Sequence, residues 1–261
     1  MNHWTGLSID YANQKNYLDD LFTVYPTIPE GIRDLDKSLW QKVEDSFNSK
    51  NNEKLITSLL DMDLFPIKDS YVAYLKRDSS SIKRNPATVS RLCGRLYELG
   101  LKMIYDRCTE PKETNRQIGP LFRRWLKKGT LGVPLMNLKQ FMQTDLNAIL
   151  DEGDSELMSF ADTYLGYKRN KGLDFVARFN KKYIIGEAKF LTDFGGHQNA
   201  QFEDAISTLK AKTNANVIKI AILDGVLYIK TKNKMFNFVS KNKQGYNIMS
   251  SLVLREFLYQ V

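Results

Sequence analysis

Leu173-Asp174-Phe175-Val176-Ala177-Arg178-Phe179 and, after Asn180-Lys181-Lys182, Tyr183-Ile184-Ile185-Gly186-Glu187-Ala188-Lys189-Phe190 decide how this chain folds. Both runs are dense in β-branched and aromatic residues, which suit a pleated surface. A short polar linker between two such runs predicts an antiparallel hairpin. The second run is apolar up to Gly186, the composition of a strand covered on both faces, where an unpaired acid is expensive. Glu187 and Lys189 nonetheless follow. Side chains alternate along a strand, so these two share a face while Ala188 points to the other. The hairpin can bring Asp174 beside them.

Downstream, Thr192-Asp193-Phe194-Gly195-Gly196 reads as a Gly-rich turn and about Gln198 to Ala211 as a helix. Val217 to Leu223 and Val226 to Lys230 read as strands around Asp224-Gly225, a favoured hairpin dipeptide. Ile248 to Tyr259 reads as a closing helix. Upstream, the first 165 residues are helical in grammar: Leu39–Ser49, Glu53–Met62, Ser70–Lys76, Pro86–Cys108, Thr114–Lys128, Leu138–Leu150 and Ser155–Leu165 space apolar residues three and four apart. Asn85 and Ser155 are candidate N-caps, and Gly100 is a candidate break. The expected fold class is α/β (α+β): a helical N-terminal part followed by a mixed β-sheet core flanked by helices. The expected division is 1–164, a mainly helical region, and 165–261, a basic core.

The 261 residues are 43% hydrophobic and 26% charged, enough for a buried core and unlike a disordered chain. There is no run of about 18 apolar residues and no signal-peptide pattern at Met1-Asn2-His3-Trp4-Thr5-Gly6, so neither a membrane span nor export is expected. Two cysteines, Cys93 and Cys108, exclude a disulfide framework and point to a reducing cytoplasm. With only His3 and His197, metal chemistry would fall to carboxylates. The net charge of +8 is segregated: residues 1–164 hold 22 Lys/Arg against 23 Asp/Glu, residues 165–261 hold 16 against 7. A basic C-terminal third points to a polyanion such as nucleic acid; a solubilising surface is the alternative.

Two carboxylates on neighbouring strands make a hard oxygen site suited to Mg²⁺, which takes one or two carboxylates plus phosphate oxygens and waters. A lysine beside a scissile phosphate can orient or help deprotonate the attacking water and stabilise developing charge. The competing reading of Glu187 and Lys189 is a cross-strand ion pair worth about 0–1 kcal/mol. The other acid-x-Lys triplet, Glu110-Pro111-Lys112, carries a proline that disfavours an interior strand and has no acid-bearing strand before it.

Asp174 followed by Glu187-Ala188-Lys189 on a hairpin, then a helix, resembles the PD-(D/E)XK nuclease signature, and type II restriction endonucleases in particular. The segment from Gly186 to Gln198 is similar to active-site segments of such enzymes, and Asn115-Arg116-Gln117-Ile118-Gly119-Pro120 also resembles them. Leu173 stands where the motif has proline. The resemblance implies a PD-(D/E)XK-type mixed-sheet core and a type II site-specific deoxyribonuclease. Asp174 and Glu187 would be metal ligands, Lys189 the catalytic lysine and Mg²⁺ the cofactor. The reaction would be attack of metal-activated water on a phosphodiester of double-stranded DNA at a specific sequence. It further implies a homodimer, since one site cuts one strand and two symmetric subunits read a symmetric sequence most simply. A cognate DNA methyltransferase encoded nearby would protect the host genome. A structure-specific repair or junction-resolving nuclease, and a non-catalytic DNA-binding protein of the same fold, are the rival readings.

Around this motif, Gln198 and Gln201 are candidate supports on one helix face, where ordinary polar helix residues serve as well. Glu156 is a candidate further metal ligand. Gly195 and Gly196 could let backbone amides approach a phosphate at a helix N-terminus, and a plain turn explains them too. Arg91, Arg95 and Arg116 are candidate DNA contacts, with solvated arginines as the alternative.

Overall fold

The computed structural model describes residues 1–26, 34–110 and 118–261. Among these, six strands, β1 (Leu135–Met136), β2 (Ala148–Leu150), β3 (Phe175–Phe179), β4 (Lys182–Leu191), β5 (Val217–Gly225) and β6 (Asn247–Met249), lie side by side in chain order in one sheet. β2, β3 and β4 run antiparallel to their neighbours in turn, whereas β1 runs parallel to β2, and β5 and β6 run parallel to β4. The β3–β4 hairpin forms as expected. Its turn residues Asn180 and Lys181 both take positive φ, 48° and 63°, the geometry whose twist matches paired strands. Lys182 belongs to β4, opposite Phe179.

All five residues of β3 and the run Ile184–Ala188 of β4 are buried, because both faces of the sheet are covered. Alternate side chains enter different cores. Phe175, Ala177, Phe179, Ile184 and Ala188 pack with Phe202, Ala205 and Ile206 of the helix Gly196–Lys210, which makes the β4-to-β5 crossover. Val176 and Ile185 pack with Leu157, Phe160 and Ala161 of the helix Asp154–Leu165. Gly186 permits the close approach of β4 to β5: a Cβ there would meet the Ile220 carbonyl oxygen at 2.8 Å and Ile220 Cγ1 at 2.6 Å.

The chain divides into two compact units, Met1–Thr27 with Thr114–Val261, and Ile28–Glu113. This differs from a boundary at residue 164. The helices His3–Ala12, Tyr17–Val24, Ile118–Lys127 and Asp154–Leu165 belong with the sheet, because Ile9, Leu21, Val24, Leu121 and Phe122 cover one face of it and Leu157 and Phe160 the other. The second unit is helical, built from Lys37–Asn48, Asn52–Leu60, Ser70–Arg77, Ser81–Arg84 and Pro86–Cys108 around Leu55, Ile56, Leu59, Leu92, Leu96 and Ile104. Asp36, Asn51 and Asp69 cap its helices by accepting from backbone amides. Gly100 breaks the longest helix at φ 77°. Both cysteines are buried, unbridged thiols in this core.

Three expected elements are corrected. Val226–Lys230 is not a strand: Val226–Tyr228 is a 3-10 turn, and β5 pairs with β6 instead. Asp224-Gly225 fails as a hairpin turn because the Asp224 carboxylate is fully buried, accepting from Tyr25 Oη at 2.9 Å, Ser250 Oγ and the Ser251 amide. Gly225 takes φ 98° against the Leu191 carbonyl. Leu138–Leu150 is a short helix, Leu138–Met142, opened by an Asn137–Gln140 capping box, and then the fully buried β2, which pairs with β1 on one side and β3 on the other. Ile248 and Met249 lie in β6, so the last helix is Leu254–Gln260. In smaller points, Gly153 and not Ser155 caps Asp154–Leu165, and Asn85 makes no side-chain cap bond. No helix among the described residues is long and apolar enough to cross a membrane.

Candidate active site

Asp174 sits one residue before β3, and its amide donates to the Gly186 carbonyl at 3.1 Å, continuing the hairpin ladder to Glu187. The Asp174 carboxylate is held by the Ala188 amide, which donates to Oδ2 at 2.9 Å. Lys189 Nζ donates to the same Oδ2 at 2.7 Å and to Glu187 Oε2 at 2.6 Å. The three side chains expected to meet do meet, and the Lys189 ammonium lies between the two carboxylates. Glu187 is 1% exposed. Its other oxygen, Oε1, accepts from Thr208 Oγ1 at 3.5 Å. Burial raises the Glu187 carboxyl to about 7, against the pull of the Lys189 charge. Burial also opposes the Lys189 charge, but Asp174 and Glu187 outweigh it and hold that ammonium above the ordinary lysine range. Lys189 is therefore a cation at neutral pH, a donor of hydrogen bonds.

Asp174 and Lys189 open into a cleft of about 280 Å³ also lined by Ile118, Gly119, Lys171, Gln201 and Asp204. Gln201 thus reaches the cleft; its Nε2 lies 2.9 Å from His197 Nε2. Gln198 is buried, accepts from the Thr192 amide at 3.3 Å and ties the exit of β4 to the next helix, away from the cleft lining. Glu156 is exposed, with its carboxylate folded over Gly153 at the helix N-terminus, and does not join the pair. Among the described residues, no three His, Cys, Asp or Glu side chains cluster so as to hold a metal. Gly195 is the N-cap of Gly196–Lys210, and a Cβ on Gly196 would meet nothing within 4 Å. Arg91 and Arg95 lie in the helical unit, where Arg91 pairs with Asp69 at 2.7 Å and Arg95 approaches it at 4.0 Å. Arg116 lies outside the described residues.

Sequence reasoning passed over Lys171, Arg169, Asp204 and Thr208. Gln201, Asp204 and Thr208 fall at i, i+3 and i+7 of one helix, so the helical period from Gln201 was the signal available.

A mixed sheet flanked by helices, with an acid-bearing hairpin at its centre, has the architecture of a restriction endonuclease core. A family model described as Tsp45I type II restriction enzyme matches residues 2–261, and the chain belongs to that family. It is a restriction endonuclease, a site-specific deoxyribonuclease whose substrate is DNA. No curated protein and no solved structure matches the chain. Type II restriction enzymes generally use a divalent metal. The residues present fit such an ion: two hard carboxylate groups already share one positive charge, that of Lys189, at 2.6 and 2.7 Å.

Proposed function

We propose that this enzyme cuts double-stranded DNA at a specific sequence with Mg²⁺, and that Asp174, Glu187 and Lys189 are its catalytic centre. The observation carrying this reading is the convergence of both carboxylates on Lys189 Nζ at the wall of an open cleft. Asp174 and Glu187 would hold Mg²⁺, which when bound supplies charge neutralisation at the phosphate and a lowered pKa for water. The chain's own groups do the rest. The Ala188 amide fixes Asp174 through Oδ2, and Thr208 fixes Glu187 through Oε1. Lys189, charged and tethered by two of its three donors, has one left to orient the attacking water or to meet the non-bridging phosphate oxygen as charge builds there. Gln201, at the cleft wall, is a candidate for ordering water or a phosphate oxygen; Gln198 supports the loop that leads there.

The two-fold symmetry of a homodimer would place two such sites on two strands. Arg91, Arg95 and Arg116 remain proposed DNA contacts, as do the backbone amides at Gly195 and Gly196. The helical residues up to 164 would contribute recognition and dimerisation, and a methyltransferase encoded nearby would protect host DNA. Plasmid digestion tests the reading: discrete, reproducible bands that require Mg²⁺ and whose ends map to one sequence are expected. A smear of random ends, or equal cutting in EDTA, would refute it.

A further inference from the structure

The cleft that holds Asp174 and Lys189 carries a second charged group that the proposed chemistry leaves unused. Lys171, in the loop before β3, and Asp204, on the helix Gly196–Lys210, both line it. The Lys171 ammonium donates to Asp204 Oδ2. Arg169 donates to Asp204 Oδ1, to the Asp204 carbonyl at 3.2 Å and to Thr208 Oγ1 at 2.6 Å. Burial works against the Asp204 charge, but the hydrogen bonds from Lys171 and Arg169 prevail and hold its carboxyl below the usual range. It is an anion at neutral pH.

Arg169, Lys171 and Asp204 therefore carry two positive charges against one negative. Arg169 directs its terminal nitrogens to acceptors within the fold, and its side chain is 24% exposed. The Lys171 side chain is 41% exposed, with three donors and one carboxylate oxygen engaging them. The surplus charge of this group consequently falls on Lys171, at the cleft. Asp174, Glu187 and Lys189 have the opposite balance, two acids against one base, when both acids are ionised. One side of the cleft suits a metal cation and the other suits an anion, the pairing a phosphodiester needs.

We propose that Lys171 binds a phosphate of the DNA strand entering this cleft, and that Asp204, anchored by Arg169, is the residue that positions it. A lysine already held at the wall loses less side-chain freedom on binding than one sweeping through solvent. The inference deepens the reading of the Asp174 site and rests on it for the identity of the strand.

The test is the salt dependence of binding to a random-sequence DNA duplex, measured in EDTA so that nothing is cut. Each phosphate contact contributes about 0.9 to the slope of log K against log salt. Lys171→Gln should reduce the slope by about 0.9, which is about an eightfold loss of affinity at 0.1 M salt relative to 1 M. Lys171→Arg should keep the wild-type slope. An unchanged slope in folded Lys171→Gln protein overturns the phosphate contact. Asp204→Asn completes a double-mutant cycle read as DNA affinity. The effect of Lys171→Gln should shrink at least twofold in that background; an undiminished effect overturns the positioning role. Because no cleavage is read, an Asp174→Ala protein that still cut DNA would refute the catalytic reading and leave these slopes standing.

Discussion

Glu187 is the residue whose environment says most about the chemistry. A carboxylate 1% exposed is costly unless something takes up its charge, and Lys189 does so only in part, leaving the group at about 7. The folded-state value lies above the ordinary one of 4.5, so this group favours folding fully at low pH and loses that contribution as pH rises towards 7. In the metal-free enzyme, Glu187→Gln should abolish that loss, seen as a smaller fall in melting temperature between pH 5 and 8. For metal binding the sign reverses. A proton must leave Glu187 below about pH 7, so apparent Mg²⁺ affinity should fall up to about tenfold per pH unit below 7 and be flat above it. Calorimetric titration at several pH values checks both limbs, and a flat profile would remove Glu187 from the ligand set. Thr208 supplies the hydroxyl that orients this carboxylate, taking its own bond from Arg169 at 2.6 Å. Thr208→Val keeps shape and removes that donor, and should weaken apparent Mg²⁺ affinity about tenfold, the lower end for a group that orients a ligand. Asp174, Glu187 and Lys189 were legible because strand alternation and a short hairpin fix which side chains share a face. Lys171, Arg169 and Asp204 were not, because their meeting depends on how a loop and a crossover helix settle against the sheet.

β4 and β5 are the elements on which the site's geometry depends. Their parallel pairing is tight at Gly186, opposite Ile220, where backbone replaces side chain. Gly186→Ala should cost about 1–3 kcal/mol by forcing the strands apart, measured by denaturant unfolding. It should lower cleavage as well, since Glu187 follows directly; stability equal to wild type would contradict this packing. Strands with both faces buried announced themselves by composition, as in Tyr183-Ile184-Ile185. The elements misread were those where an apolar run fits two periods. Ile248-Met249 and Ala148-Ile149-Leu150 have helical spacing with their neighbours but are short strands, chosen by the vacant ladder bonds of β5 and β3 beside them. Asp224-Gly225 misled for a different reason: its aspartate is a buried acceptor for Tyr25 and Ser251, a partnership nearly 200 residues distant in the first case. Turn propensity carries no information about that.

In the whole molecule, the excess positive charge lies in the last third, which carries the two acids and the lysine. On the proposed reading, a basic surround would concentrate a polyanion while the acids would take the metal, so the same segment would attract the substrate and cut it. The charge asymmetry was legible in the sequence, but the compact units were not. The helices before residue 27 and after 114 return to cover the sheet, a long-range packing that leaves no mark in local spacing. The proposed homodimer would bring one centre to each strand, and on that reading the 30.1 kDa chain should sediment at about twice that mass. A monomer mass at assay concentration, with and without DNA, would contradict the homodimer. The most direct test of the central claim is cleavage of plasmid DNA with Mg²⁺ by the wild-type enzyme and by folded Asp174→Ala and Glu187→Ala variants. Discrete bands from the wild type and a loss of more than about a hundredfold in each variant are expected. Wild-type cleavage rates in either variant would contradict it.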